Sequence, residues 1–353
     1  MTAITEAAVG LLQSLIATPS YSGEESGTAL LIRRFLASKN IPAQQHKNNV
    51  WAINAHFAPG KPTLLLCSHH DTVRPNAGYT RDPFAPDMHD GRLYGLGSND
   101  AGGALVSMIA AFTALYAHPQ LPCNIVLAAV AEEERSGKDG IENLWPLLPP
   151  VDCAIIGEPT LLQLAVAERG LMVLDGVATG TAGHAAHQTG ENALYKAIED
   201  IAWLKQYRFP KISEWLGPVK MTVTSIETPN KAHNVIPDVC RFVVDVRLTE
   251  QYAPEEILAV LRQHVRSELT PRSTRLRATG IATDHPLVRT ALRFGGECYG
   301  SPTSSDKALL PVPTLKAGPG DSTRSHTADE YIFSAEIEAG IAFYHHILTH
   351  FEG

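Results

Sequence analysis

Three apolar runs in the first half of the chain, each followed at once by a polar cluster, constrain the fold more than any other feature. Thr63 to Cys67 (TLLLC), Asn124 to Val130 (NIVLAAV) and Cys153 to Ile156 read as buried central strands, because an unbroken apolar run leaves no face for solvent. Between the first two, Ala104 to Ala117 reads as a buried helix that follows a Gly-Gly turn. Strand and helix in alternation predict an α/β domain with a central mixed, mainly parallel sheet flanked by helices. In such a sheet, ligands collect beyond the carboxyl ends of the strands. The residues found there are SHHD after the first run, EEE after the second and GEP after the third.

From about Gly170 the pattern changes to alternating strands (LMVLDGVATG, VKMTVTSIET, CRFVVDVRL) separated by two helical segments, Asn192 to Lys205 and Pro254 to Glu268. After Ile281 it returns to helix and strand: a helix near Pro286 to Tyr299, the loop GPGDSTRSHTADEYI, and a last helix from about Ser334. The simplest arrangement is one domain made of residues 1–169 and 282–353, interrupted by an inserted α+β domain, 170–281. A length of 353 residues suits two domains.

Composition narrows the function. Hydrophobic residues make up 44% of the chain and charged ones 19%, as in a compact globular protein. The net charge of −8 comes without a Lys/Arg run, so neither nucleic acid nor a membrane surface is the expected partner. No apolar stretch approaches the ~20 residues needed to span a bilayer. The first residues form an amphipathic helix pattern without the basic start of a signal peptide. Five scattered cysteines without a C-x-x-C pair read as free thiols in a reducing compartment, and the cytoplasm is the expected location.

The polar clusters carry the chemistry. His69 and Asp71 are two apart at a strand end, so they can face one pocket while His70 faces away. An exposed His-Asp loop would share that sequence. Asp100 lies in the glycine-rich GLGSNDAGG just before a helix, where it would serve either as an N-cap or as a carboxylate at a sharp backbone bend. Glu132, Glu133 and Glu134 would repel one another in a charged loop unless cations lie between them; one could then ligate while its neighbour accepts a proton from water. Glu158, in IIGEP, is at another strand end, and His326 closes the polar loop GPGDSTRSH. Two imidazoles with three carboxylates suit two divalent ions, zinc first with cobalt or manganese as alternatives, and lack the thiolates of a structural zinc site.

At least six separated motifs, spanning almost the whole chain, resemble the M20 metallopeptidase and deacylase family, in the group of acetylornithine deacetylase and succinyl-diaminopimelate desuccinylase. The resemblance implies a zinc-peptidase-like catalytic domain and an inserted domain used for dimerisation. It implies that His69, Asp100 and Glu158 hold one metal and Asp100, Glu134 and His326 the other, with Asp100 shared and a cis peptide after it. Glu133 would be the general base and Asp71 would orient His69. In the inserted domain, GTAGHAAH resembles the segment whose histidine, here His184, stabilises the oxyanion in a partner subunit's site; Asn234 and Arg247 resemble residues that engage the substrate and its carboxylate. Two departures stand out. Glu132 replaces the aspartate of the more common Asp-Glu-Glu, and the segment after His184 is one residue shorter, with Gln188 where proline is common, so His187 competes for the oxyanion role.

The expected function is therefore hydrolysis of a linear amide in a small-molecule N-acyl amino acid by a homodimer. The final loop looks most like the acetylornithine and acetyl-lysine branch, so the expected substrate is N-acetylornithine or N-acetylcitrulline, in arginine biosynthesis. Succinyl-diaminopimelate desuccinylase, acetyl-lysine deacetylase and dipeptidase are the alternatives. A non-catalytic amino-acid-binding relative is the alternative of a different class; such a chain should have lost a ligand or the base, and here all are present.

Overall fold

A computed structural model describes residues 2–187 and 189–353, which form two compact units. Unit 1 comprises Met1–Val166, Ile281–Tyr299 and Ser305–Gly353; unit 2 comprises Ala167–Gly280 and Gly300–Ser304. The short piece Gly300–Ser304, which the sequence pattern grouped with the first domain, sits with unit 2. Its Ser304 hydroxyl donates to the Arg169 carbonyl at 2.7 Å, and Arg169 N–H donates to the Ser301 carbonyl at 3.2 Å.

In unit 1 the strands Asn124–Val130, Thr63–His69, Cys153–Ile156 and Thr314–Lys316 lie side by side in that order, and each neighbouring pair is parallel. The strand Asn49–Ile53 adds antiparallel to Asn124–Val130, and Gln44–His46 adds antiparallel beyond it. Every residue of Thr63–His69 and Asn124–Val130 is buried, as the unbroken apolar runs require. Their side chains alternate between two cores. Leu64, Leu66, Ile125 and Leu127 join one with the helices Ala3–Ile16, Gly103–Leu115 and Ser334–His350, while Leu65, Cys67, Val126 and Ala128 join the other with Ile141, Leu144 and Ile156. Burial on both faces is what holds the strand ends, and the polar side chains on them, in fixed positions.

Unit 2 is built on a sheet in the order Lys220–Glu227, Val239–Leu248, Gly170–Thr179, Glu268–Pro271, with antiparallel pairing throughout. Its own core includes Met172, Leu174, Phe242, Val244, Ile257 and Leu261. The helices Ala193–Gln206 and Pro254–His264 belong to it. The second stops before the expected Glu268, which instead opens a strand. In unit 1 the helix expected over 286–299 ends at Phe294, because Gly295 and Gly296 take φ of 128° and 92°, and Cys298–Ser301 is extended. Among the described residues no helix is long and apolar enough to cross a membrane.

Candidate active site

Each polar cluster sits where a buried strand of unit 1 runs out. His69 is the last residue of its strand and is 1% exposed. Its Nδ1 lies 2.9 Å from the Asp71 carbonyl oxygen and 3.5 Å from that residue's carboxylate. The carbonyl therefore takes the Nδ1 proton, and the Nε2 lone pair is left to face the pocket. Beside that ring nitrogen, the Asp71 carboxylate also accepts from the Ser22 hydroxyl at 2.6 Å and from the backbone N–H groups of Glu133 and Glu134, both at 3.1 Å. His70 points away, as its place in the alternation demands, toward Thr28 and the Asn48 carbonyl.

Asp100 lies in a glycine-lined bend. Gly97 has φ of 75°, a Cβ on Gly102 would sit 2.4 Å from the Gly97 carbonyl oxygen, and the Asp100–Ala101 peptide is cis. Gly102, not Asp100, caps the following helix, so Asp100 is free of the N-cap role that its sequence position allows. The bend is pinned by a residue the sequence pattern did not single out. Glu330, 2% exposed, accepts backbone N–H bonds from Gly97 at 2.9 Å and from Asn99 and Asp100 at 2.8 Å. The one signal for it was an acidic residue directly before the apolar strand Tyr331–Phe333.

The two oxygens of Asp100 face different imidazoles. Oδ1 is 3.3 Å from His69 Nε2 and Oδ2 is 3.6 Å from His326 Nε2. Glu158 Oε1 stands 3.8 Å from His69 Nε2, and Glu134 closes on His326 at 3.0 Å. Ligand atoms of His69, Asp100 and Glu134 lie within 4.8 Å of one another, as do those of His69, Glu133 and Glu158. Glu133 is thus inside the cluster, beside Glu158.

This crowding shows in the proton affinities. Burial drives the Glu133 carboxyl well above its usual range, and its acidic neighbours Glu158, Asp306 and Glu134 add to the effect against the opposing pull of His69. Burial likewise lifts Glu158 to about 8. On His69 burial disfavours the charged ring, but hydrogen bonds to Asp100 and Asp71 outweigh it and raise the pKa well above the ordinary value. The hydrogen bond to Glu134 raises His326 to about 9. The raised proton affinities of Glu133, Glu158, His69 and His326 mark a crowded set of donors whose charge divalent cations would balance. Four carboxylates and two imidazole nitrogens, with no thiolate, fit hard to borderline cations such as zinc, cobalt or manganese.

Three further candidates lie in unit 2. His184 is exposed, in a short ribbon where it pairs with Val235, and Ala185 N–H donates to the Asn234 carbonyl at 3.0 Å, so His184 and Asn234 are neighbours. The His184 ring also lies 5.2 Å from that of His187. Gln188, the departure just beyond, is outside the described residues. Arg247 belongs to the four-stranded sheet instead, and Asp245 already holds its Nε at 2.8 Å and one terminal nitrogen at 3.1 Å.

An α/β scaffold that gathers imidazoles and carboxylates at the carboxyl ends of parallel strands defines a class, the metal-dependent hydrolases. Residues 65–350 match peptidase family M20/M25/M40, and the chain belongs to that family, whose members hydrolyse amide bonds. It is 27% identical over 371 residues to a succinyl-diaminopimelate desuccinylase of Xanthomonas campestris pv. campestris, covering 97% of this chain and 98% of that one. A desuccinylase of Stenotrophomonas maltophilia is 28% identical over 367 residues, with 94% and 96% covered. In fold the chain is similar to aminopeptidase PepT from Bacillus cereus (TM-score 0.80, 18% identity, 99% of each chain). It is also similar to the Bacillus subtilis YXEP protein, described as a dinuclear metal-binding peptidase (TM-score 0.75, 15% identity, 98% of each chain).

Proposed function

We propose that this chain is a two-metal amidohydrolase that removes an acetyl group from the α-nitrogen of an amino acid, ornithine or citrulline, within arginine biosynthesis. The observation that carries the two-metal reading is the stance of Asp100, one oxygen toward His69 and the other toward His326. His69, Asp100 and Glu158 would hold one divalent cation and Asp100, Glu134 and His326 the second, with zinc the first choice. When bound, the cations supply Lewis-acid polarisation of the amide carbonyl and lower the pKa of the attacking water.

The chain's own groups do the rest. Asp71 anchors the two amides at Glu133 and Glu134, which fixes the turn that presents both side chains. Glu133, whose burial raises the proton affinity of its carboxylate, would take a proton from water and return it to the leaving amine. The Asp71 carbonyl keeps His69 in one tautomer throughout. His184, from a second copy of the chain, would stabilise the oxyanion, and Asn234 and Arg247 would engage the substrate. A homodimer through unit 2 is supported by two features: Lys220–Glu227 is an edge strand, and Tyr195, Ile198 and Ile226 are 65%, 48% and 45% exposed.

A second reading, removal of succinate from N-succinyl-diaminopimelate, is favoured by the relatives that span nearly the whole chain. Purified, metal-loaded protein assayed against acetylornithine, acetylcitrulline, acetyl-lysine, succinyl-diaminopimelate and dipeptides separates the two. Turnover of the acetyl substrates first supports the proposal, preference for the succinyl substrate replaces it with the second reading, and indifference to all rejects both.

A further inference from the structure

We propose that Glu25 is a positioning residue for the general base: its buried carboxylate locks the backbone turn from which Glu133 projects. This rests on the assignment of Glu133 made above. Glu25 is 0% exposed, and its carboxylate is satisfied by three donors. Oε1 accepts from the N–H groups of Gly23 at 2.5 Å and Glu132 at 3.2 Å; Oε2 accepts from Asn48 Nδ2 at 2.7 Å. A carboxylate withdrawn from water is costly unless so paired.

The turn it meets is a strained one. Glu132 adopts φ of 61°, in the left-handed region that a non-glycine residue occupies only where its surroundings over-determine it. Here they do. Its N–H goes to Glu25, its carbonyl accepts from Gly137 N–H at 2.8 Å, and its carboxylate accepts from Arg135 and from Asp139 N–H at 3.3 Å. The next two amides, Glu133 and Glu134, go to Asp71. Three successive N–H groups are thus held by two buried carboxylates.

Both carboxylates are tied to one short segment and to one strand end. Ser22, three residues before Glu25, donates to Asp71. Asn48, which donates to Glu25, accepts at its carbonyl from His70 Nε2 at 3.0 Å. On its other side the His70 ring has Nδ1 2.8 Å from the Thr28 hydroxyl, which itself donates to the Glu25 carbonyl at 3.0 Å. Glu25 therefore joins the back of the strand end that carries His69 to the turn that carries Glu133. Its loss should let Glu133 drift, and a misplacement of about 1 Å at a reacting group can lower turnover by about 100-fold.

The test uses the full-length, zinc-loaded protein and Glu25→Gln, which keeps the shape but offers one acceptor oxygen where three donors converge. Expected results are a fall in kcat of about 10- to 100-fold, KM and metal content unchanged, and faster amide exchange in the peptide holding Glu132–Glu134 but not in Asn124–Val130. Glu25→Asp, which keeps both acceptors, should recover part of the loss. Unchanged kcat and unchanged exchange in the turn would overturn the proposal, as would a loss that merely follows global unfolding. If Glu25→Gln does not fold, Asn48→Ala, at a half-buried site, frees one oxygen of Glu25 and must speed exchange at the same turn; no change there overturns the proposal. A wild type inactive on every substrate would reject the functional reading alone, since exchange judges Glu25 without turnover.

Discussion

Replacing Asp71 by asparagine puts the most weight on the geometry of the site. The wild-type carboxylate, 1% exposed, offers Oδ2 to Ser22 and Glu134 N–H and Oδ1 to Glu133 N–H, and stands 3.5 Å from His69 Nδ1. An amide keeps one acceptor. With its nitrogen toward Glu134, the Ser22 hydroxyl can turn and accept, but the Glu134 N–H is left facing a donor. With its nitrogen toward Glu133, that residue's N–H is left instead. Either way one amide loses its partner, which costs roughly 1–3 kcal/mol, and the remaining bonds lose charge assistance worth about 1 kcal/mol. The sum is roughly 2–4 kcal/mol. For a unit of this size that is a fall in melting temperature of roughly 2–4 °C per kcal/mol.

Burial raises the Asp71 pKa, but the His69 hydrogen bond and charge outweigh it, so the folded value is below the ordinary one. A depressed carboxylate stabilises the fold above its unfolded pKa of about 4 and loses that contribution as pH falls through the folded value. The gap between wild type and Asp71→Asn should therefore be full at pH 7 and should narrow only below about pH 4. Thermal melts of both proteins in a pH series measure it. A gap under about 0.5 kcal/mol at pH 7, the range of neutral surface changes, would refute the reasoning, and so would a gap that widens in acid.

Glu133→Ala should retain bound metal and lose about 100- to 10,000-fold in kcat, measured by steady-state assay beside metal analysis. Metal binding should release protons and tighten as pH rises from 6 to 9, because His326 is raised to about 9 by Glu134 and Glu158 to about 8 by burial, and a cation must displace both protons. Calorimetry in buffers of different ionisation enthalpy reads the proton count directly. If His184 acts across a dimer, mixing inactive His184→Ala and Glu133→Ala proteins should restore part of the activity through hybrid dimers; absence of any recovery would count against action in trans.

Much of unit 1 was legible because burial on both faces writes itself plainly. The runs 63–67, 124–130 and 153–156 read as central strands, and the polar residues after them fall at the strand ends. Convergence of His326 with Glu134 was not legible from spacing, since it depends on how the last loop returns over the sheet; the likeness to a family supplied it. Glu330 and Glu25 escaped notice for a different reason. Each is a lone acidic residue whose work is to accept backbone N–H bonds from distant loops, and backbone donors leave no trace in a sequence. The left-handed conformation of Glu132 was equally silent, because its neighbours in sequence do not announce it.

The position of Thr314–Lys316, between Cys153–Ile156 on one side and Ala165 on the other, bears on how the chain comes together during synthesis. A ribosome delivers the flanking strands long before the piece that separates them, and the whole of unit 2 emerges in the meantime. The nascent chain must carry a sheet with a slot in its middle, apolar on both faces, until the missing strand arrives with His326 close behind it. Such long-range closure is slow and leaves bare strand edges open to wrong partners. For this molecule, the strand that fills the sheet and the loop that brings the second imidazole leave the ribosome together, after the whole of unit 2.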